Sequence, residues 1–120
     1  MAINIIGGSV SPSTALTLNP QTGTTYTFVL TDSNNTLVTA SNANTQTYTI
    51  PLNSSTPFPT GAQINLIQIG AGQVTISGAS GVTVASNGAT STAPKCRVQY
   101  SAATCIKVGT DSWYVVGDIA

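Results

Sequence analysis

Between Thr49 and Ala85 the apolar residues fall in three short runs, Ile64–Ile69, Val74–Ile76 and Val82–Val84. Glycine-rich pieces separate them, Gly70-Ala71-Gly72 and Gly78-Ala79-Ser80-Gly81. Val74-Thr75-Ile76 and Val82-Thr83-Val84 alternate apolar and polar with period 2, the pattern of a strand with one buried face. Glycine supplies positive φ without a steric penalty, as tight reversals require. In Ile64–Ile69 the phase slips, because Leu66 and Ile67 are adjacent. Apolar groups then reach both faces, as in a strand covered on both sides or one carrying a bulge. Three strands joined by two tight turns predict a meander against which the remaining chain packs.

On either side the pattern continues. Pro20-Gln21-Thr22-Gly23 reads as a turn, and Thr24–Leu30 as a strand with Tyr26, Phe28 and Leu30 on one face. Leu37–Ala40 and Gln46–Ile50 follow, Tyr48 and Ile50 facing the core. Asn53–Gly61 and Asn87–Pro94 read as longer loops. Cys96–Ser101 and Cys105–Val108 read as a hairpin around Ala102–Thr104. Ser112–Gly117 closes the chain, with Trp113 and Val115 on one face and Tyr114 and Val116 on the other. No segment carries helical periodicity over three turns. Eight or nine short strands spaced by about 8–12 residues predict a single all-β domain, an antiparallel β-sandwich of jelly-roll type, over residues 20–120. Gln73–Ile76 and Gly81–Val84 repeat after eight residues, which raises a β-solenoid. With two copies and no period on either side, the solenoid is set aside. Residues 1–19 read as an arm with at most one short strand: either a terminus with an edge strand, or an arm that reaches a neighbouring subunit.

Charge is scarce. Lys and Arg total 3, Asp and Glu total 3, and charged residues make up 5% of the chain, against about 25% in typical soluble domains. Solubility then rests on Thr, Ser, Asn and Gln, and a near-neutral surface lacks the repulsion that holds proteins apart. This suits a chain that ends in a large assembly, or a compact β-domain that uses hydroxyls instead of charges. Three cations argue against a nucleic-acid partner. No basic n-region precedes a long apolar core at the N-terminus, and no window approaches a transmembrane span, so synthesis in a cytoplasm without membrane embedding is expected.

The chain has no histidine and no glutamate, which removes histidine-activated nucleophiles, histidine metal sites and glutamate bases. Neither an enzyme nor a metal or cofactor site is expected. Asp32-Ser33-Asn34 resembles the start of a calcium loop but lacks the later carboxylate, so Asp32 is expected to cap its turn. Asp111 and Asp118 remain open as a carboxylate pair. For Cys96 and Cys105, one hairpin register puts the thiols on opposite faces and the other roughly 13 Å apart at ~3.3 Å per residue. Both exceed disulfide reach, so reduced thiols are expected. The aromatic residues other than Phe58 read mostly as core. Phe58, between Pro57 and Pro59, is the candidate surface contact, against a plug beneath its loop.

Pro51-Leu52-Asn53-Ser54-Ser55, Phe58-Pro59-Thr60-Gly61 and Gln68-Ile69-Gly70-Ala71-Gly72-Gln73-Val74-Thr75-Ile76, with Arg97–Ala102 and Asp111–Asp118, resemble one known module. It is found near the C-termini of tailed-bacteriophage tail fibres and tailspikes, and in small decoration (cement) proteins of phage capsids. The resemblance covers roughly residues 24–119. It implies a virion structural protein and a β-sandwich homotrimer. The cement reading places it on the outer capsid surface, bound to the major capsid protein and stabilising the shell, with Ile3, Ile5 and Ile6 of the arm as the candidate capsid anchor. The alternative is the distal receptor-binding domain of a tail fibre or tailspike that contacts host-surface glycan. A start at Met1-Ala2 with a short arm and no shaft-like repeat favours capsid decoration.

Overall fold

A computed structural model describes residues 15–120, so Ile3, Ile5 and Ile6 lie outside the described residues. Nine strands follow in order: β1 (Thr17–Gln21), β2 (Thr25–Thr27), β3 (Thr36–Ala40), β4 (Gln46–Ile50), β5 (Gln63–Gln68), β6 (Val74–Gly78), β7 (Thr83–Ala85), β8 (Ala102–Gly109) and β9 (Ser112–Gly117). One 3-10 turn, Leu30–Ser33, interrupts them. They form a six-stranded sheet in the order β1-β3-β5-β8-β9-β7 and a three-stranded sheet in the order β2-β4-β6.

The protein is therefore all-β, but most of its strands do not pair antiparallel. The chain passes from one sheet to the other at each step from β1 to β6. Each strand from β3 to β6 lies parallel to the strand two before it. Thr17 stands beside Thr36, Leu37 beside Asn65, Thr25 beside Thr47 and Gln46 beside Val74. These are three stacked coils, as in a short β-solenoid. The eight-residue repeat that suggests a solenoid is not its coil, because each coil spans both sheets and the coils differ in length. Among the described strands, antiparallel ladders are β8 against β5 and β9 against β8, while β7 pairs parallel with β9.

The expected central meander is absent for the same reason. β5 and β7 belong to the six-stranded sheet and β6 to the other, so the glycine pieces carry the chain around corners rather than reversing it. Close approach, not positive φ, is what Gly70 and Gly72 supply. A Cβ on Gly70 would lie 2.4 Å from Asn42 N, and one on Gly72 1.7 Å from Asn44 O. Gly81 alone in these pieces is left-handed, at φ +96°. β5 carries no bulge. Ile64, Leu66 and Gln68 point inward and Ile67 lies on the outer face in unbroken alternation.

Three further boundaries move. Pro20 and Gln21 extend β1 where a turn is expected; an edge strand tolerates a proline because half its ladder is open. Leu30 turns out of strand geometry into the 3-10 turn and is exposed. The expected strand Cys96–Ser101 reduces to bridges, Thr75 with Lys95 and Cys96 with Ile119, and then a turn with Tyr100 at φ +68°. Ala102–Thr104, read as a hairpin loop, instead opens β8, and Cys105 lies between Ile64 of β5 and Val115 of β9.

The core lies between the two sheets. Val38, Tyr48, Ile50, Ile64, Leu66, Val74, Ile76 and Val115 are fully buried. Tyr26, Phe28 and Tyr48 meet ring to ring at 5.6–5.9 Å. At the corner after β5, Gln68 Oε1 accepts Val74 N at 3.0 Å, while Gln46 Nε2 donates to Gly72 O at 3.1 Å. Buried amides thus hold the turn that the glycines let approach.

Two glycines separate these roles. Gly72→Ala should lower stability by about 3 kcal/mol or more, the upper end for forced overpacking. Gly23, whose added Cβ would meet nothing nearer than 3.7 Å, should accept alanine with no loss or a gain of ~0.4–1 kcal/mol. Thermal melting of the two variants checks both.

Candidate functional site: an uncharged sheet face

The three aspartates and Lys107 are bound to other parts of the chain. Asp32 is 1% exposed. Its Oδ2 accepts Val29 N at 2.9 Å and the Tyr26 hydroxyl at 2.7 Å, and its Oδ1 accepts Asn19 Nδ2 at 2.8 Å. It caps its turn and ties the turn to β1 and β2. Burial, and then the bond to Asp32, push the Tyr26 hydroxyl up to about 12. Asp111 Oδ1 accepts Asn53 N at 2.7 Å. Asp118 forms a two-pronged pair with Arg97, at 2.7 and 3.0 Å, and accepts the Ser101 hydroxyl at 2.7 Å. Those bonds hold its carboxyl below the usual carboxylate range. Asp111 and Asp118 flank β9, about 23 Å apart at ~3.3 Å per residue, beyond the ~5–9.5 Å that glycoside hydrolysis uses.

Lys107 is buried, 2% exposed. Its ammonium donates to Asn53 Oδ1 and to Phe58 O, both at 2.6 Å. The charge has oxygen partners but no carboxylate, and it pins the loop between β4 and β5 onto β8. Cys96 and Cys105 are free thiols, both buried. Burial raises them, to about 11 and about 12 respectively, with smaller contributions from Asp118 and from the neighbouring thiol.

Phe58, the candidate surface contact, is buried at 3% exposure and meets Trp113 edge to face, centroids 5.4 Å apart. Lys107 holds the Phe58 carbonyl while the ring fills the core under the loop, so this side chain is a plug and not an anchor. Trp113 is 1% exposed and Val115 fully buried, in the register that buries both.

What the two sheets turn outward differs in kind. The three-stranded sheet presents two rows of hydroxyls, Thr25-Thr47-Thr75 and Thr27-Thr49-Ser77. The six-stranded sheet presents apolar and amide groups. Its first row is Leu18, Leu37, Asn65, Thr104 and Val116 across β1, β3, β5, β8 and β9. The next is Pro20, Thr39, Ile67 and Ala102, and on the other side Gln63, Ile106, Tyr114 and Ala85. Leu18, Tyr114 and Val116 are 61%, 52% and 49% exposed. None of these positions is charged. An open hollow of about 470 Å³ lies at the β7–β9 edge, lined by Ala85, Ser86, Asn87 and Tyr114–Gly117. A face of this kind binds by shape and dehydration.

Comparison with protein-family models, with curated proteins and with solved structures finds no match to the chain.

Reading the sequence strand by strand misses this face, because it belongs to rows that cross four or five strands each. Its traces are nevertheless visible in single strands: Ile67 beside Leu66, and Tyr114 and Val116 out of phase with Trp113 and Val115. Lys107, in phase with Cys105, carries the only sequence trace of its burial.

Two expectations follow. Trp113→Ala removes the ring that meets Phe58 and should cost about 3–5 kcal/mol, read as a large fall in melting temperature; an unchanged midpoint would contradict its burial. The raised thiols and tyrosines stay protonated in the fold while the unfolded chain ionises from pH ~8.5–10. The fold then binds more protons than the unfolded chain, so stability is full below that range and falls as pH rises toward 11–12. Denaturant melts between pH 7 and 11 check this, and a flat profile would contradict it.

Proposed function

We propose that the chain is a structural virion protein, a trimeric cement protein on the outer surface of a bacteriophage capsid. Its partners are two further copies of itself and the major capsid protein, and it acts by contact, without catalysis. The observation that carries this reading is the distribution of charge. Of the six charged side chains, Asp32 and Lys107 are buried in hydrogen bonds, Arg97 and Asp118 pair with each other, Asp111 holds the Asn53 amide, and Lys95 lies beside Thr75 at the edge of the three-stranded sheet. A wide sheet face is left with no charge and with large apolar side chains in water. Such a surface suits a molecule that spends its life inside an assembly, and the sequence resemblance to phage decoration proteins points to which one.

The hollow beside Tyr114 favours a second reading, in which the chain ends a tail fibre or tailspike and holds host-surface glycan there. An exposed aromatic ring beside Asn87 and Ser86 is a fitting sugar contact.

Purified chain added to capsids that lack it tests the first reading. It should bind in a fixed ratio to the capsid subunits and raise the temperature at which the shells open. Failure to bind, together with saturable binding to host-cell surfaces that Tyr114→Ala abolishes, would replace the cement reading with the receptor-binding one.

A further inference from the structure

We infer that the outer face of the six-stranded sheet is the surface through which copies of this chain bind one another. The inference rests on the reading of the chain as an assembly protein and adds where the copies meet.

The first ground is the contrast between the two sheets. The stacked coils contribute to both sheets, yet one outer face is a lattice of hydroxyls and the other, extended by β8, β9 and β7, carries Leu18, Leu37, Ile67, Ile106, Tyr114 and Val116. Thr and Ser side chains on the three-stranded sheet bond readily to water. Half-exposed leucine, tyrosine and valine do not, and large apolar groups interspersed only with neutral polar ones over one face mark a surface that becomes covered. The second ground is size. Six strands at about 4.8 Å spacing and five residues at ~3.3 Å give roughly 450 Å² in projection. Side-chain relief adds to it, which brings the face to the scale of the ~600–800 Å² per partner that specific interfaces bury.

The third ground selects the occupant. A surface that meets copies of itself must not repel itself, and like charges across an interface are the main source of such repulsion. This face has none, and its polar members, Thr39, Gln63, Asn65 and Thr104, are neutral groups that both donate and accept. The whole chain has a formal net charge of +0, so copies also approach without long-range repulsion. A partner chosen by charge would find no handle here. The exposed ion pair Arg97–Asp118 sits just past the end of β9, where a polar rim is expected.

Sedimentation of the full chain at micromolar concentration provides the test, with three variants beside the wild type. Tyr114→Lys sets a charge in the middle of the face, Val116→Thr removes an apolar group while keeping the β-branched shape, and Thr47→Lys sets the same charge on the hydroxyl face. Wild-type chain should sediment as an oligomer. Tyr114→Lys should weaken assembly at least tenfold and Val116→Thr measurably, while Thr47→Lys leaves assembly unchanged and all three melt cooperatively. If Tyr114→Lys prevents folding, Val116→Thr carries the comparison alone. Full assembly by both face variants would overturn the inference and leave the assembly reading standing. A wild-type monomer that still binds capsids would also overturn it, because the face would then belong to the capsid. A monomer that binds no capsid would overturn the assembly reading as well.

Discussion

The corner at which one coil lies on the next limits every other part of the structure. Gly72 N donates to Asn42 O at 2.8 Å, Asn42 Nδ2 donates to Thr22 O at 2.8 Å, and Gly70 N donates to Ala40 O at 3.1 Å. The second and third heights thereby touch backbone to backbone, with no room for a side chain on Gly70 or Gly72, and the Asn42 side chain ties the second height to the first. Parallel strands have no hairpin to fix their register; here the stacked corners fix it. Once Gly72 sits on Asn42, Gln46 stands beside Val74 and Leu37 beside Asn65. Tyr48 and Ile76 then fall between the sheets. A slip of one residue would turn every buried side chain to water.

Local pattern was enough to place most strands. Gln46–Ile50 and Ser112–Gly117 follow from alternation alone, since each has one face dry and one face wet. Pairing was not legible, because a period-2 strand looks the same beside a parallel or an antiparallel neighbour. Gly70-Ala71-Gly72 reads as a reversal because glycine permits positive φ, yet these glycines are present for contact with a segment nearly thirty residues away. The region after Pro94 misled for a related reason. Cys96, Val98 and Tyr100 alternate, but only Cys96 is buried, and Val98 and Tyr100 are exposed in a turn that Ser101 clamps to Asp118. Phe58 was legible as two alternatives, and the buried ammonium of Lys107 beneath its loop decides for the core.

The candidate site was the least legible part. A face is a property of rows, and the rows here join Leu18 to Val116, residues from opposite ends of the described chain. No single stretch encodes it. What a stretch can carry is an apolar residue out of phase, and Ile67, Tyr114 and Val116 are such residues. Their exposure leaves the protein with surface that water does not favour, while five of its six charges hold loops and turns. Both facts support the proposal that this chain works by assembly, with the hydroxyl face turned to solvent and the apolar face to other protein.

Where the chain sits in an intact particle tests this account most directly. Electron microscopy of virions with a labelled antibody against the chain should place it in regular threefold clusters over the outer capsid surface, with the hydroxyl face toward solvent. Label confined to the tail tip, or absent from the particle, would contradict it.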